Sequence, residues 1–281
     1  MLINITYQPN KPVPLTDFLT SIYIPRKTKH FLRMQKRVTV NKTIVPFHHL
    51  VTKGDQITIN FDDNLYEQPH ILLGDATKIK PLYEDEHLII VNKPIHLKTH
   101  PNEPTENYTL LNNLAAYLQP QKQIPYVVHR LDMETSGCVL FAKNPIVLPI
   151  LSRMLENKEI NRTYEAIVQG NLNKDLTINK PIGRHPNDQR KRSIDFKKGQ
   201  KAITHVQILK SEKNHTRIEC HLETGRTHQI RVHLASIQHP ILGDPLYNNI
   251  HDQRLFLHAK KLNFTHPFTK KPIETSSKVP F

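Results

Sequence analysis

Cysteine is nearly absent: Cys138 and Cys220 are the only two in 281 residues, and they lie far apart. That excludes a disulfide framework and a C-x-x-C metal clip, and it suits a reducing compartment. Glycine is scarce as well, eight in the whole chain, so each one at a turn is informative about the backbone. No apolar run approaches the roughly 18 residues that a membrane span needs. The start M-L-I-N-I-T-Y-Q has no basic head followed by an apolar core. The expectation is a soluble, cytoplasmic protein with no membrane partner and, by default, a monomer. Acids are also few: twenty-five Asp and Glu face thirty-nine Lys and Arg, a formal net charge of +14. Solubility alone calls for less, so a polyanionic partner is expected.

The basic excess is concentrated in two places. Residues 26–42 carry Arg26, Lys27, Lys29, Arg33, Lys36, Arg37 and Lys42 without an acid among them. Residues 184–201 carry seven more, Arg190, Lys191 and Arg192 in one run, against only Asp188 and Asp195. The plain alternative is a solvated charged face, but the interspersed acids such a face normally has are missing. Neither run has the bulky apolar side of a membrane-surface helix.

Periodicity gives a coarse map. Leu15, Phe18, Leu19 and Ile22 have helical spacing, and Phe31 and Leu32 sit in a second, basic helix. V-T-V-N-K-T-I-V alternates as a strand, and K-G-D-Q-I-T-I-N-F turns into another. Together these predict a small unit of two helices followed by strands over residues 1–65, a polar linker over 66–80, and a larger domain over 81–281. In the larger domain Leu88–Val91 reads as a strand ending at a Lys-Pro step, residues 142–157 as a helix, and Tyr164, Ala166 and Val168 as a strand. Residues 202–209 and 216–222 read as two more. There is no βαβ rhythm, so the expected class is α+β around a mixed or antiparallel central sheet.

Within V-V-H-R-L-D-M-E-T-S-G, residues 127–137, Asp132 stands between an apolar strand and a tight turn, two residues after Arg130. A neighbouring guanidinium favours the ionised carboxylate, which suits a nucleophile or a base. A structural ion pair with Arg130 fits equally well, and the residues by themselves leave both open.

H-R-L-D-x-x-T-S-G resembles the signature of the RluA family of RNA pseudouridine synthases. Three further stretches follow the same family in the same order. These are V-N-K-P-I-H-L-K-T-H-P, with Ile95-His96 where a small residue and Gly are usual; R-T-Y-E-A-I-V-Q-G, with Arg162 for Lys; and T-G-R-T-H-Q-I-R-V-H-L with H-P-I-L-G-D-P-L-Y. Together they cover about residues 81–260. The resemblance implies a cofactor-free isomerase with a cleft between two half-sheets, consuming no water, metal or nucleotide. Asp132 matches the catalytic aspartate, acting on the target uridine so that the N1–C1′ bond breaks, the uracil turns, and C5 joins C1′. Whether it attacks the sugar carbon or removes a sugar proton stays open; either role needs it ionised. Tyr164 matches the aromatic that lies against the detached base, and Arg231 the arginine paired with the aspartate. Thr227 is placed to cap the helix that carries Arg231. Arg130 resembles the residue that fills the gap left by the extruded uridine, and Arg226 reads as a phosphate contact. His129 is grouped with these RNA-facing residues, though His129 and His228 also suit loop-fixing hydrogen bonds. Asp244 and Tyr247 read as structural.

Residues 1–65 resemble the small RNA-binding domain named after ribosomal protein S-four, with Lys36-Arg37 in place of its usual Gly. The implied partner is structured RNA, large-subunit ribosomal or transfer RNA, gripped by both basic patches. A zinc site is not expected, because His228 and His233 are five apart rather than four and no cysteine is near. Two competing readings are a non-catalytic RNA-binding factor and a metal-dependent nuclease built on Glu84, Asp85 and Glu86.

Overall fold

The computed structural model describes residues 2–61, 69–250 and 252–281, so residues 62–68, which include the first part of the expected linker, lie outside the described residues. The amino-terminal unit comprises β1 (Leu2–Thr6), β2 (Val13–Pro14), α1 (Leu15–Ser21), α2 (Arg26–Met34), β3 (Val38–Val40), β4 (Thr43–Ile44), β5 (Leu50–Val51) and β6 (Gln56–Asn60). Its main sheet runs β1-β6-β3-β4. Period-2 burial builds it: Ile3 and Ile5 of β1 face the core beside Ile57 and Ile59 of β6. The expected order began with helices and missed β1. V-T-V-N-K-T-I-V is not one strand either, because Asn41 and Lys42 both have positive φ (49° and 67°) and fold it back as the β3–β4 hairpin.

The larger unit comprises β7 (Pro81–Glu84), β8 (Leu88–Lys93), α3 (Leu110–Leu118), β9 (Tyr126–Val127), β10 (Ser136–Ala142), α4 (Val147–Glu156), β11 (Asn161–Gln169) and β12 (Leu176–Asn179). It continues with β13 (Ile182–Arg184), β14 (Arg192–Ile194), β15 (Ile203–Glu212), β16 (His215–Leu222), α5 (Gln229–Ala235), β17 (Leu257–Thr265) and β18 (Pro272–Ser276). A ten-stranded mixed sheet runs β12-β15-β16-β11-β17-β10-β8-β7, with β9 on β10 and β18 on β17. All seven residues of β10 are buried, as a strand covered on both faces requires. The expected helix over 142–157 is shorter, because Ala142 closes β10 and Asn144 Oδ1 accepts the N–H groups of Ile146 and Val147 to start α4.

The sheet forks at β17. Along one edge β17 pairs with β11; along the other it pairs first with β10, in parallel, at Ser136–His258 and Gly137–Ala259, and then with β18 from Lys261 onward. Among the described residues that short parallel ladder alone joins the two halves of the sheet. Gly137 is required there: its φ is +115°, and a Cβ would stand 2.2 Å from the Ala259 carbonyl oxygen. Residues 72–75, expected as linker, are fastened to α3 instead. Asn112 donates to the Leu72 carbonyl (2.6 Å), and Asn113 Oδ1 accepts the Asp75 N–H (2.9 Å).

Candidate active site

Asp132 lies in the loop between β9 and β10, and the loop is tied at several points. Thr99 Oγ1 donates to the Leu131 carbonyl (2.9 Å), and Lys93, fully buried, donates to the Met133 carbonyl (3.0 Å). The Thr135 N–H donates to the Asp132 carbonyl (3.1 Å), which closes the tight turn. The carboxylate is 17% exposed at the floor of the cleft.

Its partner is Arg231, not Arg130. Arg231 Nη1 donates to Asp132 Oδ2 at 3.1 Å, across 99 residues of sequence. The same guanidinium donates from Nε and Nη2 to the two oxygens of Asp244, 2.8 Å each. Arg231 is 2% exposed and Asp244 0%. Burial alone would lower the arginine's pKa, but the hydrogen bonds to Asp244 and the charges of Asp132 and Asp244 hold it above its ordinary value. Asp244, expected to be merely structural, is therefore the anchor of the arginine. It also accepts the N–H groups of Leu246 and Tyr247. Gly243 has φ +67° and no room for a Cβ, which would stand 1.8 Å from the Arg254 carbonyl oxygen. Thr227 is not the helix cap: His228 occupies that position with a positive φ of 58° and no side-chain capping bond. Arg231 still falls in the first turn of α5, with Ile230 and Leu234 buried behind it as the spacing predicts.

The cleft is lined by Arg130, Asp132, Arg162, Tyr164, Thr227, His228 and Leu257. Tyr164 is 5% exposed on β11, and burial raises the pKa of its phenol. Tyr247 packs under Arg231, its ring centroid 5.2 Å from the guanidinium carbon, and its hydroxyl lies 2.8 Å from His228 Nδ1. Beyond Asp132 a second, adjoining cavity is lined by Lys98, His100, Arg130, Glu134 and Leu246.

Residues 87–236 match the family model described as RNA pseudouridylate synthase, and residues 3–57 match one described as the RluD ribosomal pseudouridine synthase N-terminal domain. An RNA pseudouridine synthase of Bacillus subtilis (strain 168) is 38% identical over 252 residues, covering 87% of this chain and 82% of that protein. The chain belongs to the RNA pseudouridine synthase family. Ribosomal large subunit pseudouridine synthase D of Escherichia coli (strain K12) is 35% identical to this synthase over 268 residues, 88% of this chain and 80% of that one. Human RNA pseudouridylate synthase domain containing 1 shares the fold, with a TM-score of 0.62 and 24% identity over 74% of this chain and 86% of that chain.

In this pseudouridine synthase the residues expected at the RNA are scattered over different environments. Arg130 is exposed and lines both cavities, and among the described residues its guanidinium has no ion-pair or hydrogen-bond partner. Arg226 is exposed beside it, its Nε donating to the Lys201 carbonyl (3.1 Å). His129 is a correction. It is 8% exposed, its Nε2 accepts the Leu140 N–H (3.1 Å), and burial pushes its pKa down to about 3, so it is a neutral loop support behind the cleft. Arg26, Lys27, Arg33 and Lys36 are exposed on or just after α2, Lys29 donates to Thr20 Oγ1, and Arg37 is half-buried. Arg190 is bound by its own neighbour, donating to both oxygens of Asp188 (3.1 and 2.9 Å). Lys191 is half-buried, and Arg192 lines a basic hollow with Arg184, Lys198 and Arg226. The acids of the nuclease reading lie outside both cavities: Lys143 donates to Glu84 (2.7 Å), and Asp85 pairs with His266 (3.2 Å). His233 has Thr204 and the Lys180 carbonyl on its two ring nitrogens. The sequence reading missed Asp244, His228, Tyr247 and Arg162 as parts of the site. All four stand in the stretches that resemble the family, and Arg162 had a further signal, standing two residues before Tyr164 on a strand, which puts both on the cleft face.

Proposed function

We propose that the synthase isomerises uridine in large-subunit ribosomal RNA, with Asp132 as the catalytic carboxylate. The observation that carries the site assignment is the Asp132–Arg231 contact, 3.1 Å long, at the floor of a cleft that also holds Tyr164 and Arg130. Arg231 occupies Oδ2 and leaves Oδ1 facing the cavity, so one carboxylate oxygen is oriented while the other is free to react. Fixing the anion in this way costs no reorganisation at the moment of reaction. The uridine enters the cleft by extrusion, Arg130 stacks where it leaves, and the Tyr164 ring lies against the detached uracil while C5 is brought to C1′. Arg226 and the basic hollow beside it hold backbone phosphate, and α2 extends the grip through the amino-terminal module, residues 1–65.

The relatives named for the large ribosomal subunit support the choice of RNA. Tritium release from unmodified large-subunit ribosomal RNA labelled at uridine C5, with a transfer RNA pool as comparison, tests it. Release from the ribosomal RNA and its complete loss in Asp132→Asn are expected. Release from transfer RNA alone would overturn the substrate, and an active Asp132→Asn would overturn the site.

A further inference from the structure

His228 holds a backbone conformation that costs energy for a residue with a Cβ, φ 58° at the residue before α5, and it does so beside the reacting carboxylate. Its ring is gripped from behind. Tyr247 meets it edge to face, centroids 5.6 Å apart at 82°, and the Tyr247 hydroxyl is 2.8 Å from Nδ1. That hydroxyl is already committed as an acceptor, because the Arg192 backbone N–H donates to it at 2.7 Å. A backbone N–H only donates, so the hydroxyl's own proton is free to go to His228 Nδ1. The opposite tautomer would leave that proton without an acceptor among the described residues, at a half-buried site. The arrangement that satisfies both groups within the protein puts the proton of the neutral imidazole on Nε2.

Nε2 points into the cleft. It lies 3.9 Å from Asp132 Oδ1, beyond hydrogen-bond length, and the side chain is 13% exposed where the two cavities meet. A fixed N–H thus stands beside the one carboxylate oxygen that Arg231 leaves free, and both line the cavity a substrate must enter. We propose that His228 is a substrate-contacting hydrogen-bond donor of the isomerisation, a neutral imidazole that donates from Nε2 to an oxygen of the extruded uridine. Breaking N1–C1′ leaves negative charge on the uracil, and a pre-oriented neutral donor stabilises it without adding a further cation to a cleft that already holds Arg130, Arg162 and Arg231. Burial, which lowers the imidazole's affinity for a second proton, agrees with this state. Tyr247 acts through His228, as a positioning residue.

The inference rests on the isomerase activity and on Asp132 as its carboxylate. The test uses the full chain under single-turnover conditions on the C5-tritiated large-subunit ribosomal RNA transcript, with RNA affinity measured separately by filter binding. His228→Leu, similar in size but unable to donate, is expected to slow the rate constant by about ten- to a hundredfold with Kd unchanged within about twofold. His228→Gln keeps a neutral N–H and is expected to be at least about threefold faster than His228→Leu. Tyr247→Phe is expected to lower the rate alone but to add nothing to His228→Leu. A His228→Leu rate near wild type, a loss confined to Kd, equal rates for Gln and Leu, or multiplying losses in the double variant would each overturn it. Wild-type release on the same RNA is the separate control for the proposed substrate.

Discussion

Arg231 divides one guanidinium between two carboxylates, and the division decides what its neighbours do. Asp244 takes Nε and Nη2 in a bidentate grip, which fixes the plane of the guanidinium and leaves only Nη1 for Asp132. Removing the buried acid leaves a buried cation half paired, so Asp244→Ala is expected to cost about 3–5 kcal/mol in urea unfolding. Arg231→Lys keeps the charge but cannot span both acids, so tritium release should fall at least about tenfold in single turnover. Asp132, Tyr164 and Arg231 were legible because they stand in contiguous stretches that resemble a family. Asp244 and His228 stand in such stretches too, but their roles were not legible, since each acquires its role only when the 243–247 turn is folded against the start of α5. His129 was misplaced for the same reason: its sequence neighbours Arg130 and Asp132 face the cleft, whereas its own ring turns back to the Leu140 N–H.

Helices and hairpins set which cations can reach RNA. Arg190 is 77% exposed, yet its guanidinium is already held by Asp188, whereas Arg184 and Lys198 face the hollow that Arg192 and Arg226 complete. Replacing Arg184 or Lys198 with Gln should therefore lower the slope of log K against log salt by about 0.7–0.9 per lost phosphate contact, read by filter binding across a salt series. Arg190→Gln should leave that slope nearly unchanged. On α2, Lys27→Gln and Arg33→Gln should act like Arg184→Gln, weakening affinity without altering the single-turnover rate on bound RNA. Helix spacing found α1 because its apolar residues recur every three or four positions, and Phe31 and Leu32 marked the basic α2 that follows. The β3–β4 hairpin escaped because Asn41-Lys42 is a weak turn signal, Lys42 standing where glycine is usual, and alternation reads the same through a two-residue turn as along one strand. Arg231 fell on the expected face of α5 although the expected cap was wrong, since the spacing of Ile230 and Leu234 is independent of how the helix begins.

Across the whole molecule, buried neutral imidazoles tie stability to pH. Burial lowers His129 from its ordinary 6.5 to about 3, and His258 to about 4; His258 lies between Ser136 Oγ and Ser277 Oγ under the fork of the sheet. A histidine held neutral in the fold stabilises it at neutral pH. That contribution is lost as pH falls below 6.5, where the unfolded chain takes up protons and the folded chain does not. The melting temperature should therefore fall between pH 6.5 and about 4, and His258→Gln should flatten that part of the profile. Gly137→Ala, which would drive a methyl into Ala259 at the ladder joining the two halves of the sheet, should leave little folded protein on expression.

The sequence by itself determined the chemistry on offer: the run around Asp132, the aromatic two residues after Arg162, the arginine-bearing helix, the basic excess and the α+β class. These are properties of neighbours along the chain, and spacing records them. Only the tertiary structure decided which partner each charge keeps, because Asp132 meets Arg231 across 99 residues and the Tyr247 hydroxyl meets Arg192 across 55. Such pairings are set by where strands fork and turns close, and no local pattern encodes that distance.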